Sequence, residues 1–477
     1  MPEKTPRAAL GAVTGLWMRL LLVRLQGPRA LPLHVRSVVR VLTSHGFTAH
    51  AVGGAVRDLL LGRRPGDWDV ATSAEPRYVL SVFLRAIATG LKHGTVKVIC
   101  PGGHVIDVTT YRVDGVYSDR RRPDTVSFTE SLSQDLGRRD FTVNALALGP
   151  TGTVIDPFGG LGDLARRVIR CVGDPDQRLS EDALRMMRAV RLAAEIDFTL
   201  DPGTARAITR NAPLLRHIAA ERVRDELDRI LLSGRPGRAL ELMRTLGLLH
   251  IVLPELLEGV GFDQNEHHAF TVWEHTLLSV AAVPPVHVLR LAALLHDVAK
   301  PRTLSVEGGR RHFFGHEKVG AEMARDILTR LRYDKATIAR VTHLVRHHMA
   351  LHWQPEMKDA AVRRLINRVG PENIPDLLEL RRADRRASGT KEGPVGLGTA
   401  ALLVRIERLL KRDRVFTLQD LAVDGHDVMR VARIPPGPEV GLILRRLLEE
   451  VLEDPKLNDK ARLEERIRGM TRSGLPR

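Results

Sequence analysis

Short apolar runs of strand length alternate with helical stretches along the first third of the chain. Thr48-Ala-His-Ala-Val52 reads as a short strand and Gly53-Gly54 as a turn. A helix is predicted to open near Ala55 and stop at Gly62. Gly66-Asp-Trp-Asp-Val-Ala71 and Val105-Ile-Asp-Val-Thr-Thr-Tyr-Arg112 read as further strands, so residues 31–155 are expected to form an α/β region. From about 156 to 250 the pattern turns helical. A helix follows Ser180, the expected N-cap, with Glu181 and Asp182 favouring its positive end. Further helices are predicted at 204–211, 219–232 and 236–248, broken by Asn211-Ala-Pro213 and Ser233-Gly234. Later, Thr271-Val-Trp-Glu-His-Thr276 and Leu289-Arg-Leu-Ala-Ala-Leu-Leu295 read as helices, the second apolar. Residues 400–477 look helical and basic, punctuated by Val423-Asp-Gly-His-Asp-Val-Met429 and Ile434-Pro-Pro-Gly-Pro438. No segment is long and apolar enough to span a bilayer.

Chemistry enters with the acids. Asp67 and Asp69 stand two apart in a predicted strand, so both carboxylates point to one face. Two acids on one face repel unless a cation lies between them, and Mg²⁺ takes carboxylate oxygens while keeping sites open for phosphates. Asp107, on a later strand, supplies a third acid, as a two-metal phosphoryl-transfer site requires. Upstream, the Gly53-Gly54 turn feeding a helix leaves backbone N–H groups for a phosphate, to which Arg57 can add a bidentate contact.

Gly53-Gly54-x-x-Arg57-Asp58 followed by Asp67-x-Asp69 resembles the signature of the class II nucleotidyltransferases, the group of tRNA CCA-adding enzymes and bacterial poly(A) polymerases. Further stretches resemble family motifs in order: Leu91-Lys-His-Gly-Thr-Val96, Asp107-Val-Thr-Thr-Tyr-Arg112, Asp135-Leu-Gly-Arg-Arg-Asp-Phe-Thr-Val-Asn-Ala145, Asp156-Pro-Phe-Gly-Gly-Leu-Gly-Asp163 and Glu181-Asp-Ala-Leu-Arg-Met-Met-Arg-Ala-Val-Arg191. The resemblance spans roughly residues 35 to 250. It implies that Asp67, Asp69 and Asp107 hold two Mg²⁺ ions, and that Arg139, Asp140 and Asn144 lie near the sugar and triphosphate. It also implies that Arg188 and Arg191 help bind the nucleotide. Asp182 and Arg185, at i and i+3, would share a helix face. One acceptor and one forked donor can read the amino group and ring acceptor of cytosine or adenine and reject uracil and guanine. The matching pair has that role in the family. The expected activity is untemplated addition of CMP and AMP from CTP and ATP to the 3′ end of tRNA. The alternatives are poly(A) synthesis, addition of only part of CCA, or an RNA-binding protein whose main activity is that of an HD nucleotide phosphohydrolase. The charged connection 112–128 looks full length, which favours competence to add A. The chain lacks the long basic C-terminal tail associated with the polymerases, which places CCA addition first.

A second constellation lies downstream. His275, His296-Asp297, His316, His347-His348 and Asp384 are spread over several predicted helices, and imidazoles with carboxylates suit a transition metal such as Ni²⁺, Mn²⁺ or Fe²⁺. The set resembles the HD phosphohydrolase domain, in which His316 with His347 or His348 would hold a second metal. That implies phosphatase or 2′,3′-cyclic phosphodiesterase activity at RNA ends, with a vestigial structural role as the alternative.

The resulting expectation is an α/β nucleotidyltransferase head with a small mixed β-sheet, followed by mainly α-helical neck, HD and C-terminal regions. The boundaries are a poorly ordered N-terminal extension (1–30), the head (31–155), a neck for nucleotide and RNA recognition (156–250), the HD domain (251–390) and a C-terminal tRNA-binding region (391–477). Composition changes this picture little. Lys and Arg number 73 against 57 acids in 477 residues, a formal charge of +16. A polyanionic partner explains that excess, and so does an Arg-rich genome. Aromatic residues make up 4%, which argues against extensive base-stacking platforms. Two cysteines, Cys100 and Cys171, exclude a disulfide framework and suit a reducing cytoplasm. The Arg- and Leu-rich start resembles a transit peptide or a poor signal peptide and equally a disposable leader. The sequence leaves the oligomeric state open.

Overall fold

The computed structural model describes residues 31–115, 125–265, 268–351, 357–390, 396–413 and 416–472. The extension 1–30 and the central part of the connection, 116–124, lie outside the described residues. The chain divides into two compact units between Pro254 and Glu255.

The first unit is built on a seven-stranded sheet. Its strands are β1 (Ala49–Val52), β2 (Trp68–Thr72), β3 (Ala86–Gly90), β4 (Thr95–Ile99) and β5 (Val105–Thr110), and, after a separate two-stranded ribbon of β6 (Arg112–Asp114) and β7 (Val126–Phe128), β8 (Ala147–Leu148) and β9 (Val154–Ile155). The sheet order is β3-β4-β5-β2-β1-β8-β9. The β2–β5 pair is parallel and the β1–β2 and β4–β5 pairs are antiparallel, so the sheet is mixed as expected. Helix Leu33–Ser44 buries Val35, Val38, Val39 and Leu42, one stripe of a 3.6-residue period. Val70 and Ala71 of β2, with Ile106 and Val108 of β5, are fully buried. Alternating burial along β5 fixes its register, because a one-residue slip would turn Ile106 and Val108 outward.

Beyond the sheet the unit is mainly helical. Pro202–Asn211, Ala220–Leu232 and Pro236–Thr245 are helices close to the predicted spans. The helix predicted after Ser180 is corrected. Helix Pro175–Glu181 starts at Asp174, whose side chain accepts from the Gln177 amide, so Ser180 lies inside it. Asp182 then breaks the helix with an extended backbone, φ −138°, and a second helix, Arg185–Ile196, follows. The Asp182 carboxylate accepts from the Leu184 amide at 3.2 Å, satisfying a donor at the new helix start.

Among the described residues the second unit is helical apart from a hairpin of β12 (Ser305–Glu307) and β13 (Arg310–His312), the first unit also containing a two-stranded pair, β10 (Val168–Ile169) and β11 (Thr199–Leu200). Helix Val272–Ala282 opens on a capping box between Thr271 and Glu274. Helices His287–Leu295, His316–Arg330, Lys335–His347 and Ile374–Ala387 complete the framework around the histidines. The C-terminal helices Gly425–Ala432, Pro438–Glu453 and Lys460–Arg472 close on their own core, with Val428, Ile443, Leu447, Leu452, Leu463 and Ile467 fully buried.

Candidate functional sites

Parallel pairing of β2 with β5 sets Asp69 directly opposite Asp107. Asp69 is half-buried, and burial raises its pKa; Arg139 opposes that shift while Asp107 and Asp67 add to it. A carboxylate held against a second one and pushed toward protonation is a fitting place for a dication. On β4 the antiparallel register places Lys97 beside Asp107, with Nζ 2.9 Å from Oδ1. Asp67 stands one residue ahead of β2, exposed and outside the cavity lining, a correction to its predicted place within the strand.

Asp69 and Asp107 line a cavity of about 570 Å³. Gly53 and Gly54 form one wall, Arg138, Arg139, Asp140 and Asn144 another, and Asp182, Arg185 and Arg188 a third. Gly53 is needed there: its φ is +81°, and a Cβ would lie 2.9 Å from Arg139 Nη1. A chain of bonds ties the walls together. Arg57 Nη1 donates to Asn144 Oδ1 at 2.6 Å, Asn144 Nδ2 donates to Asp140 Oδ1 at 3.1 Å, and Arg188 Nη2 donates to Asp140 Oδ2 at 2.6 Å. Burial alone would raise the Asp140 pKa, yet Arg188 and the Asn144 bond hold it far below the ordinary carboxylate value.

Asp182 and Arg185 both line the cavity but do not share the predicted helix face, because Asp182 is extended and the next helix begins only at Arg185. Arg185 Nη1 donates to Glu181 Oε2 at 2.6 Å and to the Arg178 carbonyl at 2.8 Å. Asp182 pairs with Arg222 at 3.0 Å. Arg57 and Arg191 line a smaller cavity of about 140 Å³ that shares Gly54, Asp140, Asn144 and Arg188 with the first. Arg191 is tied to Glu226 and, at 3.0 Å, to Glu195. His93, Thr95, Arg112, Asp114 and Arg138 also line the main cavity and were not anticipated. Alternation along β4, with Val96 and Val98 inside, could have pointed to Thr95.

The second unit gathers its histidines in one place. His275 Nε2 lies 3.2 Å from His296 Nε2 and 3.2 Å from Asp384 Oδ1. His316 Nε2 lies 3.2 Å from His348 Nε2, and Asp297 Oδ1 is 3.5 Å from His316 and 3.8 Å from His348. Asp297 Oδ2 is 3.4 Å from His275 and 3.2 Å from His296, so Asp297 joins two half-sites. Nδ1–H groups of His296, His316 and His348 donate to the carbonyls of Ala293, Phe313 and Val345 at 2.9, 2.7 and 2.7 Å. Those bonds fix the tautomer, so the His316 and His348 lone pairs face each other and Asp297. That donor set fits bound cations. Burial, with His296 and His316 nearby, lowers the His348 pKa to about 3, which keeps its imidazole neutral and able to ligate.

His347 is corrected out of this set. It is absent from the clustered donors and its ring packs on His343 at 4.5 Å, because consecutive residues at a helix end point in different directions. His268, not anticipated, clusters with His275 and Asp384. Lys300 Nζ lies 2.7 Å from Asp297 Oδ2 and donates to Gln264 Oε1 at 2.6 Å. Arg381 Nη1 donates to Asp384 Oδ2 at 2.7 Å.

Three family models match in chain order: "Poly A polymerase head domain" over residues 49–170, "Probable RNA and SrmB- binding site of polymerase A" over 197–259, and "HD domain" over 266–388. A CCA-adding enzyme of Lactobacillus johnsonii is 35% identical over 431 residues, 90% of this chain and 95% of that protein. An A-adding tRNA nucleotidyltransferase of Deinococcus radiodurans is 38% identical over 84% of this chain and 91% of its own length. A CCA-adding enzyme of Geobacillus stearothermophilus is 52% identical over 44% of this chain, and there the match spans only 52% of the relative. Among solved structures, the Bacillus stearothermophilus CCA-adding enzyme in complex with CTP aligns with a TM-score of 0.67 at 31% identity, covering 92% of this chain and 97% of that one. No described helix is long and apolar enough to cross a membrane.

Proposed function

We propose, from the premise that this chain belongs to the tRNA nucleotidyltransferase and poly(A) polymerase family with an HD domain, that its first unit adds CMP and AMP to the 3′ end of tRNA. The observation that carries this reading is the register pairing of Asp69 with Asp107 on the wall of an arginine-lined cavity. The tRNA 3′-hydroxyl attacks the α-phosphate of CTP or ATP, the α–β bridging bond breaks, and pyrophosphate leaves. Asp69, Asp107 and Asp67 are the residues that would hold Mg²⁺, which when bound supplies charge neutralisation on the triphosphate and acidifies the attacking hydroxyl. Arg139 and Arg188 bring positive charge to the cavity, and the Arg57–Asn144–Asp140 chain holds Arg188 in place. Asp182 and Arg185 are the base-reading pair of this proposal. Their partners Arg222 and Glu181 orient them, and uracil or guanine would leave those polar groups unmatched.

The experiment is incorporation of labelled CTP and ATP into tRNA lacking its 3′ end, without a template. Asp69→Ala or Asp107→Ala should reduce incorporation by at least about a thousandfold, on the scale of losing charge stabilisation at a phosphoryl-transfer centre, while tRNA binding persists. Retained incorporation by either variant would remove the reading. Incorporation of ATP alone, onto tRNA already ending in CC, would favour an A-adding enzyme like the Deinococcus relative.

The second unit is read as a metal-dependent phosphohydrolase at RNA ends. His275, His296, Asp297 and Asp384 form one half of a cation site, and Asp297, His316 and His348 the other. Water adds to phosphorus, one P–O ester bond breaks, and the departing oxygen takes a proton.

A further inference from the structure

Over the imidazole and carboxylate floor of the second site, the cavity of about 310 Å³ is rimmed by His312, Phe314 and Met349. β13 ends at His312, and Phe314 lies in the turn that leads into helix His316–Arg330. Phe313 turns in, buried, with its ring 5.8 Å from the Lys300 ammonium. His312 and Phe314 turn out and stack, ring centroids 5.1 Å apart and planes within 6°. Phe314 nevertheless remains 69% exposed and Met349 39% exposed. An aromatic pair stacked at a cavity floored by imidazoles and carboxylates needs an explanation, since leaving such a ring in water forgoes its burial energy.

The floor and the rim ask for different halves of one ligand. Lys300 and the cation-binding donors suit a phosphate, whereas a flat, apolar, solvent-facing ring pair suits a nucleobase. We propose that the His312–Phe314 platform stacks the base of a nucleotide whose phosphate sits over His296, Asp297, His316 and His348. This inference rests on the phosphohydrolase reading of that floor. Stacking uses the π-face that every base has, so the platform accepts a terminal nucleotide whatever its base.

The test uses the full chain loaded with Mn²⁺. Binding of adenosine 3′-monophosphate and of glycerol 2-phosphate is measured by calorimetry. The heat lost in the His296→Ala/Asp297→Ala double variant isolates this site from nucleotide binding elsewhere. The wild type should bind the nucleotide at least about fivefold more tightly than the base-free phosphate, the scale of one stacked base. Phe314→Ala should bring that ratio close to one, and Phe314→Trp should restore it. Equal affinities in the wild type, or a preference that survives Phe314→Ala, would overturn the platform and leave the phosphate-binding floor standing. Binding of both ligands that ignores His296 and Asp297 would overturn the floor, and the platform with it.

Discussion

At the scale of single residues, opposed charges decide the behaviour of the first site. Lys97 lies where a cation would relieve Asp107, and the bond to Asp107 raises the lysine's own pKa. Its ammonium and a dication therefore compete for one carboxylate. Both side chains are about two-fifths exposed, at 42% and 38%, so solvent weakens the pair and the competition is modest. Lys97→Met is expected to lower the Mg²⁺ concentration giving half-maximal incorporation by about threefold, within the range of an exposed ion pair. Mn²⁺ binding should tighten in parallel. An unchanged or higher requirement in the variant would show that Lys97 does not compete. This feature was hidden in the sequence, because a lysine two residues after a threonine on a strand says nothing until the register names its neighbour.

Among elements, Asp140 links the segment after the ribbon to helix Arg185–Ile196 through its paired bonds to Arg188 at 2.6 and 3.0 Å. Its folded pKa lies below the unfolded value of about 3.9. The linkage sign is that of a depressed acid: the stabilisation is complete above the unfolded pKa and is lost as pH falls from there toward the folded one. Asp140→Asn should lower the stability of the first unit by about 1.5 kcal/mol at pH 7, since it removes a charge-assisted bond to Arg188, whose 42% exposed side chain stays partly solvated. The gap between wild type and variant should narrow below about pH 4. Denaturant melts at several pH values would show it, and a gap that stays constant down to pH 3 would contradict the pairing. The helix containing Arg188 and the strands β2 and β5 were visible as periodic patterns. The break at Asp182 was not, because a run of helix-forming residues such as Ala183 to Arg191 conceals a cap supplied by Asp182's own side chain.

For the whole molecule, the two proposed chemistries fall in two units, and each should be separable from the other. The His296→Ala/Asp297→Ala variant is expected to lose hydrolysis of 2′,3′-cyclic AMP by at least about a hundredfold, on the scale of losing groups that orient or bind the metal, while incorporation of CTP and ATP continues. Hydrolysis that persists in the variant would end the hydrolase reading. The order of the motifs along the chain already determined the family, the mixed-sheet head and the helical remainder, because strand and helix periods and glycine turns are local properties of the sequence. The tertiary structure decided what locality cannot reach. It chose His348 over His347, brought in His268 and Lys300, and moved Asp67 to the edge of its site. Each outcome depends on which distant backbone lies alongside, and that is set only when the cores of the two units close and fix register and helix phase.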